Sequence, residues 1–147
     1  MTVVVREAQR PAYTPEITPG FELLSDLDLP VGGPLKGLLS FHARYPQADV
    51  LALPCDMPNL SADLLRKLID LYAEVPEAEA WVFEVGERLQ PFPGIYSARL
   101  LAAVSEKVGS LNLPRHGLIH LLTSSKTASR VVMEESAFRN FNAPSDL

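Results

Sequence analysis

Leu51-Ala52-Leu53-Pro54-Cys55-Asp56-Met57-Pro58 is the stretch that decides the fold of this 147-residue chain. An apolar run ends here in a single acid, and a proline follows soon after it. The run predicts a buried strand whose end holds the Asp56 carboxylate at the rim of a sheet. Open α/β folds bind their ligands at that rim. Asp56 is therefore a candidate ligand-binding residue, although an ordinary Asp turn before Pro58 would give the same pattern.

A second segment, Gly32-Gly33-Pro34-Leu35-Lys36-Gly37, lies upstream and predicts a loop that enters a helix at Pro34. Adjacent glycines let a backbone approach a ligand closely, and the start of a helix favours anions. An ordinary Gly-Pro loop without a ligand is an equally good interpretation. Asp26 precedes the loop, and its carboxylate would either accept hydrogen bonds from a base or ribose or simply be solvated. Together the two segments indicate an enzyme that handles a nucleotide and a divalent metal.

The isolated acid at position 56 suits Mg²⁺ chemistry. In phosphoryl and nucleotidyl transfer, Mg²⁺ prefers one or two carboxylates together with phosphate oxygens and water. A single Asp at the end of a strand fixes the metal and leaves most coordination positions to the substrate. Cys55 is more typical of a buried, inert thiol than of a nucleophile, since no pairing with a histidine can be inferred. His42 fits the apolar face of a helix, as a packing residue.

The composition narrows the class of protein. The chain is 47% hydrophobic and 21% charged, which is typical of one soluble domain over residues 1–147. Its net charge of −5 argues against a nucleic-acid surface. A single cysteine excludes an intramolecular disulfide, and no apolar run approaches the ~20 residues of a membrane helix. A cytoplasmic location is expected, without a membrane or nucleic-acid partner.

Short apolar runs alternate with longer amphipathic ones, which predicts an α/β fold with a mostly parallel sheet and covering helices. The predicted strands are Thr2–Val5, Phe21–Leu24, Val50–Leu53, Ala80–Val85, Gly94–Ser97 and Arg130–Met133. The predicted helices begin at Pro34, run from the Ser61 cap to about Tyr72, and cover Leu100–Val108 and Leu118–Thr123. Three prolines between Glu7 and Gly20 predict an irregular loop.

Taken in order, these pieces resemble the molybdenum cofactor guanylyltransferase family, within the wider group of α/β nucleotidyltransferases. The matching elements are Val3-Val4-Val5, Asp26, Gly33-Pro34-Leu35 with Gly37, Pro54-Cys55-Asp56-Met57-Pro58, Gln90-Pro91 and Phe141-Asn142-Ala143-Pro144-Ser145-Asp146-Leu147. They cover nearly the whole chain. The resemblance implies a doubly wound, mostly parallel sheet with a Rossmann-like nucleotidyltransferase fold.

The resemblance also implies a role for each matching residue. Asp56 would be the catalytic residue that binds Mg²⁺, and Asp26 would contact the guanine nucleotide. The residues that would line the nucleotide pocket are Gly33, Pro34, Leu35 and Gly37, and those toward the pterin are Gln90, Arg115 and Asn142. The implied reaction joins the GMP moiety of GTP to the terminal phosphate of molybdopterin and releases pyrophosphate.

The chain departs from the family at its start. Arg6 stands where the family commonly has a polar amide that contacts the nucleotide. The family also opens with a strand, a glycine-rich loop with an arginine, and a lysine, which together would add about 40 residues. That first strand is central in a doubly wound sheet, so two neighbouring strands are expected to lack a partner. We expect an N-terminally truncated chain, with self-association or the missing N-terminal segment completing the sheet.

Two other functions fit the sequence. A related nucleotidyltransferase would use CTP with molybdopterin, or a sugar phosphate, because residue chemistry alone does not fix the base. A non-catalytic binding domain would keep the fold and the pterin side but would not handle a triphosphate. The main expectation is the guanylyltransferase, whether active or inactive as this truncated chain.

Overall fold

The computed structural model describes residues 1–14, 19–110 and 117–139. The strands within them are β1 (Thr2–Val5), β2 (Glu22–Ser25), β3 (Val50–Ala52), β4 (Ala80–Val85), β5 (Arg88–Tyr96) and β6 (Thr127–Val131). The α-helices are α1 (Arg10–Tyr13), α2 (Gly33–Arg44), α3 (Ala62–Glu74), α4 (Ala98–Gly109) and α5 (Leu118–Ser124). Single 3₁₀ turns cover Glu7–Gln9 and Glu135–Phe138. None of the described helices combines the length and the hydrophobicity needed to cross a membrane.

The described strands form two sheets. β1 and β2 pair in parallel, and Val5 lies opposite Ser25 at their carboxyl ends. The second sheet has the order β3-β5-β4-β6, in which β4 and β6 are parallel and β5 is antiparallel to both of its neighbours. β3, β4 and β6 therefore share one direction. The predicted α/β class with parallel-rich sheets is confirmed.

Helices cover both faces of the four-stranded sheet, and β4 shows why. Ala80 and Val82 point into a core formed with α2, α4 and α5. Trp81 and Phe83 point the other way, into a core formed mainly with α3. Successive side chains of a strand alternate between its faces, so an uninterrupted apolar run places apolar side chains on both faces of the sheet. The result is the layered arrangement expected of a doubly wound sheet.

Serine caps fix the starts of two helices. The Ser61 hydroxyl accepts a hydrogen bond from the Leu64 N–H group at 3.2 Å, and Ser97 accepts one from Leu100 at 3.1 Å. The cap predicted at Ser61 is confirmed. Such caps satisfy one of the backbone donors that a helix start leaves free, and each stabilises by about 1 kcal/mol.

β3 lies at the edge of its sheet, so the prediction of a buried strand was wrong in part. Leu51 and Leu53 are 39% and 47% exposed, although Val50 and Ala52 pack against the core. The physical reason is that, in the part of the chain that the structure describes, β3 pairs with β5 on one side only. β1 likewise pairs only with β2 within the described residues. The Cys55 thiol that follows β3 is exposed, which contradicts the expected buried thiol.

The segment around Pro91-Phe92-Pro93 also differs from the prediction. β5 begins at Arg88 instead of Gly94, because this segment stays within the strand beside an irregularity in the β4–β5 register. Bulges of this kind accommodate prolines in a sheet. The backbone is so close here that a Cβ atom on Gly94 would lie 2.6 Å from the Pro91 carbonyl oxygen.

Two further boundaries were wrong. The stretch predicted as an irregular loop after Glu7 contains the first 3₁₀ turn and α1, and Pro11 lies in the first turn of that helix. Proline is tolerated there because the first N–H groups of a helix have no intrahelical acceptor. The last strand covers Thr127–Val131 instead of Arg130–Met133, since it pairs in parallel with β4 from Ala80 onward.

Candidate active site

Helix α2 runs antiparallel to β2, which brings the start of the helix to the carboxyl end of the strand. At the other end, Tyr45 donates a hydrogen bond to Glu22, and Arg44 lies 3.4 Å from the same carboxylate. The Tyr45 hydrogen bond lowers the pKa of Glu22 and raises that of Tyr45. At the start of the helix, Lys36 Nζ lies 3.8 Å from Oδ2 of Asp26, which directly follows β2. The glycine segment and Asp26 therefore share one end of the sheet.

Asp56 follows β3, which packs near α2. β3 begins at Val50, shortly after α2 ends, and both Val50 and Ala52 pack in the core that contains Leu35 and Leu39 of α2. A strand that follows a helix in this way returns in the direction of the strand before the helix. From this rule we expect the carboxyl ends of β2 and β3, which Asp26 and Asp56 follow, to point the same way.

The register of β3 and β5 places Gln90 at this end as well. Ala52 pairs with Gly94 in an antiparallel ladder, so the residues after Ala52 and those before Gly94 leave the ladder on the same side. Gln90 is half-buried, and its side-chain amide contacts the Arg88 carbonyl at 3.4 Å. Asn59 donates to the Ser136 carbonyl at 3.4 Å and so links the Asp56 loop to the C-terminal 3₁₀ turn.

The loop that carries Asp26 is held from two sides. The Asp26 N–H group donates to the Val5 carbonyl at 2.8 Å, and Asp26 Oδ1 accepts a hydrogen bond from the Glu7 N–H group at 3.3 Å. On the helix side, Ser40 Oγ accepts a hydrogen bond from the Leu27 N–H group at 2.8 Å. Because both β1 and α2 contact the loop, the Asp26 carboxylate has a defined position.

The glycine segment leaves open space at the start of α2. Gly33 has a φ of +62°, a left-handed conformation that favours glycine, and neither a Gly32 nor a Gly33 Cβ would have a neighbour within 4 Å. Gly37 instead lies against β1, since its Cβ would be 3.9 Å from Val4. The Leu35 side chain is buried in the core, so any contact of this residue with a ligand would have to come from its backbone.

Asp56 is half-buried in the bend after β3. In residues 1–14, 19–110 and 117–139, no three His, Cys, Asp or Glu side chains come together to form a metal site. A site without such a cluster does not fit Zn²⁺, which needs three or four protein ligands. It does fit Mg²⁺, which takes most of its ligands from phosphate and water.

Two of the predicted site residues, Arg115 and Asn142, lie outside the described residues. Of the others, the structure brings Asp26 into contact with the glycine segment through Lys36, and it positions Asp56 and Gln90 at the same end of their sheet. Sequence reasoning missed the roles of Lys36 and Ser40 in holding the Asp26 loop. No spacing rule connects a loop acid with a lysine and a serine on the next helix.

Parallel strand pairs, a larger sheet covered by helices on both faces, and acids after β2 and after β3 are typical of an α/β nucleotide-binding domain of the nucleotidyltransferase class. The chain belongs to the family of MobA-like NTP transferase domains, which it matches over residues 1–127.

Curated relatives support this assignment. A protein named "Probable molybdenum cofactor guanylyltransferase" from Methanothermobacter thermautotrophicus is 31% identical over 149 positions, which cover 99% of this chain and 75% of the relative. The molybdenum cofactor guanylyltransferase of Syntrophotalea carbinolica is 33% identical over 77% of this chain and 49% of its own length. The chain thus spans between half and three quarters of these two relatives.

A solved structure has the same fold. Molybdopterin-guanine dinucleotide biosynthesis protein A from Archaeoglobus fulgidus matches with a TM-score of 0.73 and 15% identity. The match covers 99% of this chain and 73% of the solved one. At this identity the likeness concerns the fold alone.

Proposed function

We propose that this chain is the nucleotide- and metal-binding part of a molybdenum cofactor guanylyltransferase, which transfers GMP from GTP to molybdopterin and releases pyrophosphate. The observation that carries the proposal is the ion pair between Lys36 and Asp26, which holds an acid beside the open start of α2. The names of the curated relatives support the same reaction.

The surroundings of Asp26 favour guanine. Each carboxylate oxygen offers about two lone pairs. Oδ1 accepts one hydrogen bond from the Glu7 N–H group, and Oδ2 lies 3.8 Å from the Lys36 ammonium, beyond hydrogen-bond distance. At least one acceptor position per oxygen remains for a ligand. The Watson–Crick edge of guanine has two adjacent donors, N1–H and the 2-amino group, whereas cytosine and adenine have an acceptor beside their amino group. Asp26 would therefore select guanine over cytosine.

The start of α2 and Asp56 would hold the rest of the nucleotide. The N–H groups in the first turn of a helix have no intrahelical acceptor and favour anions, so Gly33, Pro34 and their neighbours would line the nucleotide pocket. Asp56 would hold Mg²⁺, which supplies charge neutralisation on the triphosphate. The acceptor phosphate would attack the α-phosphorus in line while pyrophosphate leaves, so the protein's work is to position the reactants.

The pterin substrate would lie toward Gln90. Its side-chain amide has only a long contact with its own strand, at 3.4 Å from the Arg88 carbonyl, and can turn toward a polar ring edge. By the family resemblance, Arg115 would face the anionic end of molybdopterin and Asn142 would bind near it. These two assignments rest on the resemblance and not on the described residues.

A further segment of the same protein would complete the sheet between β1 and β3. In the described part of the chain each of these strands pairs on one side only, and the relatives are longer than this chain. The segment would bring backbone N–H groups to the triphosphate, and turnover would depend on it. Mass spectrometry of the natural protein tests this point, because a 16.1 kDa product that forms dimers would instead favour a second copy.

Titration calorimetry with GTP and CTP, each with and without Mg²⁺, tests the proposed function. We expect GTP to bind in a Mg²⁺-dependent manner and CTP to bind about tenfold more weakly, because one unpaired polar contact costs roughly 1–3 kcal/mol. Selective binding of CTP would instead assign a cytidylyltransferase. A folded chain that binds neither nucleotide would be a non-catalytic binding domain.

A further inference from the structure

We infer that Lys36 is a specificity-determining positioning residue, which orients the Asp26 carboxylate so that it reads both donors of guanine. The inference rests on the proposed function, because it concerns the base-binding part of the same site. A side chain on a helix, in addition to the acid in the loop, would then help to distinguish guanine from a base that lacks the 2-amino group.

The Lys36–Asp26 pair differs from the surface ion pairs of this protein. The two side chains are only 24% and 19% exposed, whereas those of Lys67 and Glu134 are 44% and 46% exposed. A more sheltered pair is less screened by water and salt. The 3.8 Å separation between Nζ and Oδ2 is long for a hydrogen bond, so the ammonium can orient Oδ2 without blocking it.

The two contacts of Asp26 restrict the plane of its carboxylate. Oδ1 accepts the Glu7 N–H hydrogen bond at 3.3 Å, and Oδ2 lies 3.8 Å from the Lys36 ammonium. A carboxylate held at both oxygens cannot rotate freely about its last torsion angle, which otherwise has a broad distribution. A fixed plane suits two parallel donors, because both hydrogen bonds then form at once.

Lys36 is itself joined to the Asp26 loop through its backbone. Its carbonyl oxygen accepts a hydrogen bond from the Ser40 hydroxyl at 2.8 Å, and that hydroxyl accepts one from the Leu27 N–H group at 2.8 Å. The lysine therefore projects from a helix turn that is already bound to the residue after Asp26. Side chains on helices hold a site more accurately than side chains on loops.

The rival role for Lys36 is a direct contact with the triphosphate. The two roles differ in their response to inosine triphosphate, which has the same phosphates and N1–H group as GTP but lacks the 2-amino group. A phosphate contact contributes equally to the affinity for both nucleotides. A lysine that orients Asp26 instead changes the ratio of the two affinities.

The test measures the dissociation constants of GTP and inosine triphosphate, with Mg²⁺, for the wild-type chain, Lys36→Met, Lys36→Arg and Lys67→Met. We expect the wild type to prefer GTP by about tenfold, the value of one hydrogen bond to a charged group. Lys36→Met should reduce the preference to about twofold, and Lys36→Arg should restore most of it because the cation is kept. Lys67→Met is the matched control, since it removes an ion-paired lysine on α3, and it should behave like the wild type.

The other outcomes distinguish a failure of this inference from a failure of the proposed function. An unchanged ratio in Lys36→Met, or an equal loss of affinity for both nucleotides, would overturn the inference and leave the proposed function in place. A wild-type chain that binds no GTP would overturn the proposed function itself. Circular dichroism confirms that each variant is folded, and Lys36→Gln provides a second neutral variant with a polar end.

Discussion

Replacing Ser40 by alanine should destabilise the protein, because this hydroxyl joins α2 to the Asp26 loop. Ser40 is 2% exposed, and its Oγ accepts the Leu27 N–H hydrogen bond at 2.8 Å. Alanine leaves that N–H group without its partner, at a cost of roughly 1–3 kcal/mol. The Lys36 carbonyl loses less, because it remains in the α2 hydrogen-bond ladder. The expected loss in the free energy of unfolding is about 1–2 kcal/mol.

Urea unfolding followed by fluorescence measures this loss directly. Trp81 is the only tryptophan and is buried between β4 and α3, so its emission reports on the core. With a slope of about 2 kcal/mol per molar urea, the midpoint should fall by about 0.5–1 M.

The matched control is Ser110→Ala, which removes a serine hydroxyl at the end of α4. The Ser110 hydroxyl donates to the Lys107 carbonyl at 3.2 Å on an exposed surface, so its loss should change stability by less than about 0.5 kcal/mol. Equal midpoints for Ser40→Ala and Ser110→Ala would refute the claim that Ser40 holds the loop.

Two further predictions concern pH and packing. Burial lowers the pKa of His42 in the folded chain, so its contribution to stability is complete above the unfolded value of 6.5 and is lost as the pH falls below it. The free energy of unfolding of the wild type and of His42→Gln, measured with urea, should therefore differ less at pH 5.5 than at pH 7.5. A difference that stays constant with pH would contradict this prediction. Gly94→Ala should lose at least about 1–3 kcal/mol, because its Cβ would lie 2.6 Å from the Pro91 carbonyl oxygen. Gly109→Ala is the control in thermal unfolding, because its Cβ would have no neighbour within 4 Å. Equal midpoints for the two variants would contradict the prediction for Gly94→Ala.

Local patterns in the sequence predicted most of the elements of this fold. The apolar run at Ala80–Val85 indicated a strand, and the serine cap at Ser61 indicated the start of α3; both follow from residues close together in the chain. The edge position of β3 could not be predicted from Leu51 and Leu53, because hydrophobicity does not specify whether a strand has one neighbour or two.

The sequence predicted individual residues of the site but not the contacts between them. Asp56 was identified from its place after an apolar run and Asp26 from its place before the glycine segment, and the structure puts each of them after a strand. Lys36 and Ser40 were not assigned a role, since their contacts with residues 26 and 27 depend on how α2 packs against β2. Such tertiary contacts leave no periodic signal in the sequence.

The central claim is that Asp56 holds Mg²⁺ for a bound guanine nucleotide, and calorimetry of GTP binding with Mg²⁺ and with a chelator tests it most directly. The wild-type chain should bind GTP more tightly with Mg²⁺, by about tenfold or more, and Asp56→Asn should lose this difference because the proposed metal ligand loses its charge. Asp63→Asn, which changes an exposed acid in the first turn of α3, should behave like the wild type. An Asp56→Asn chain that keeps the full Mg²⁺ dependence would contradict the account.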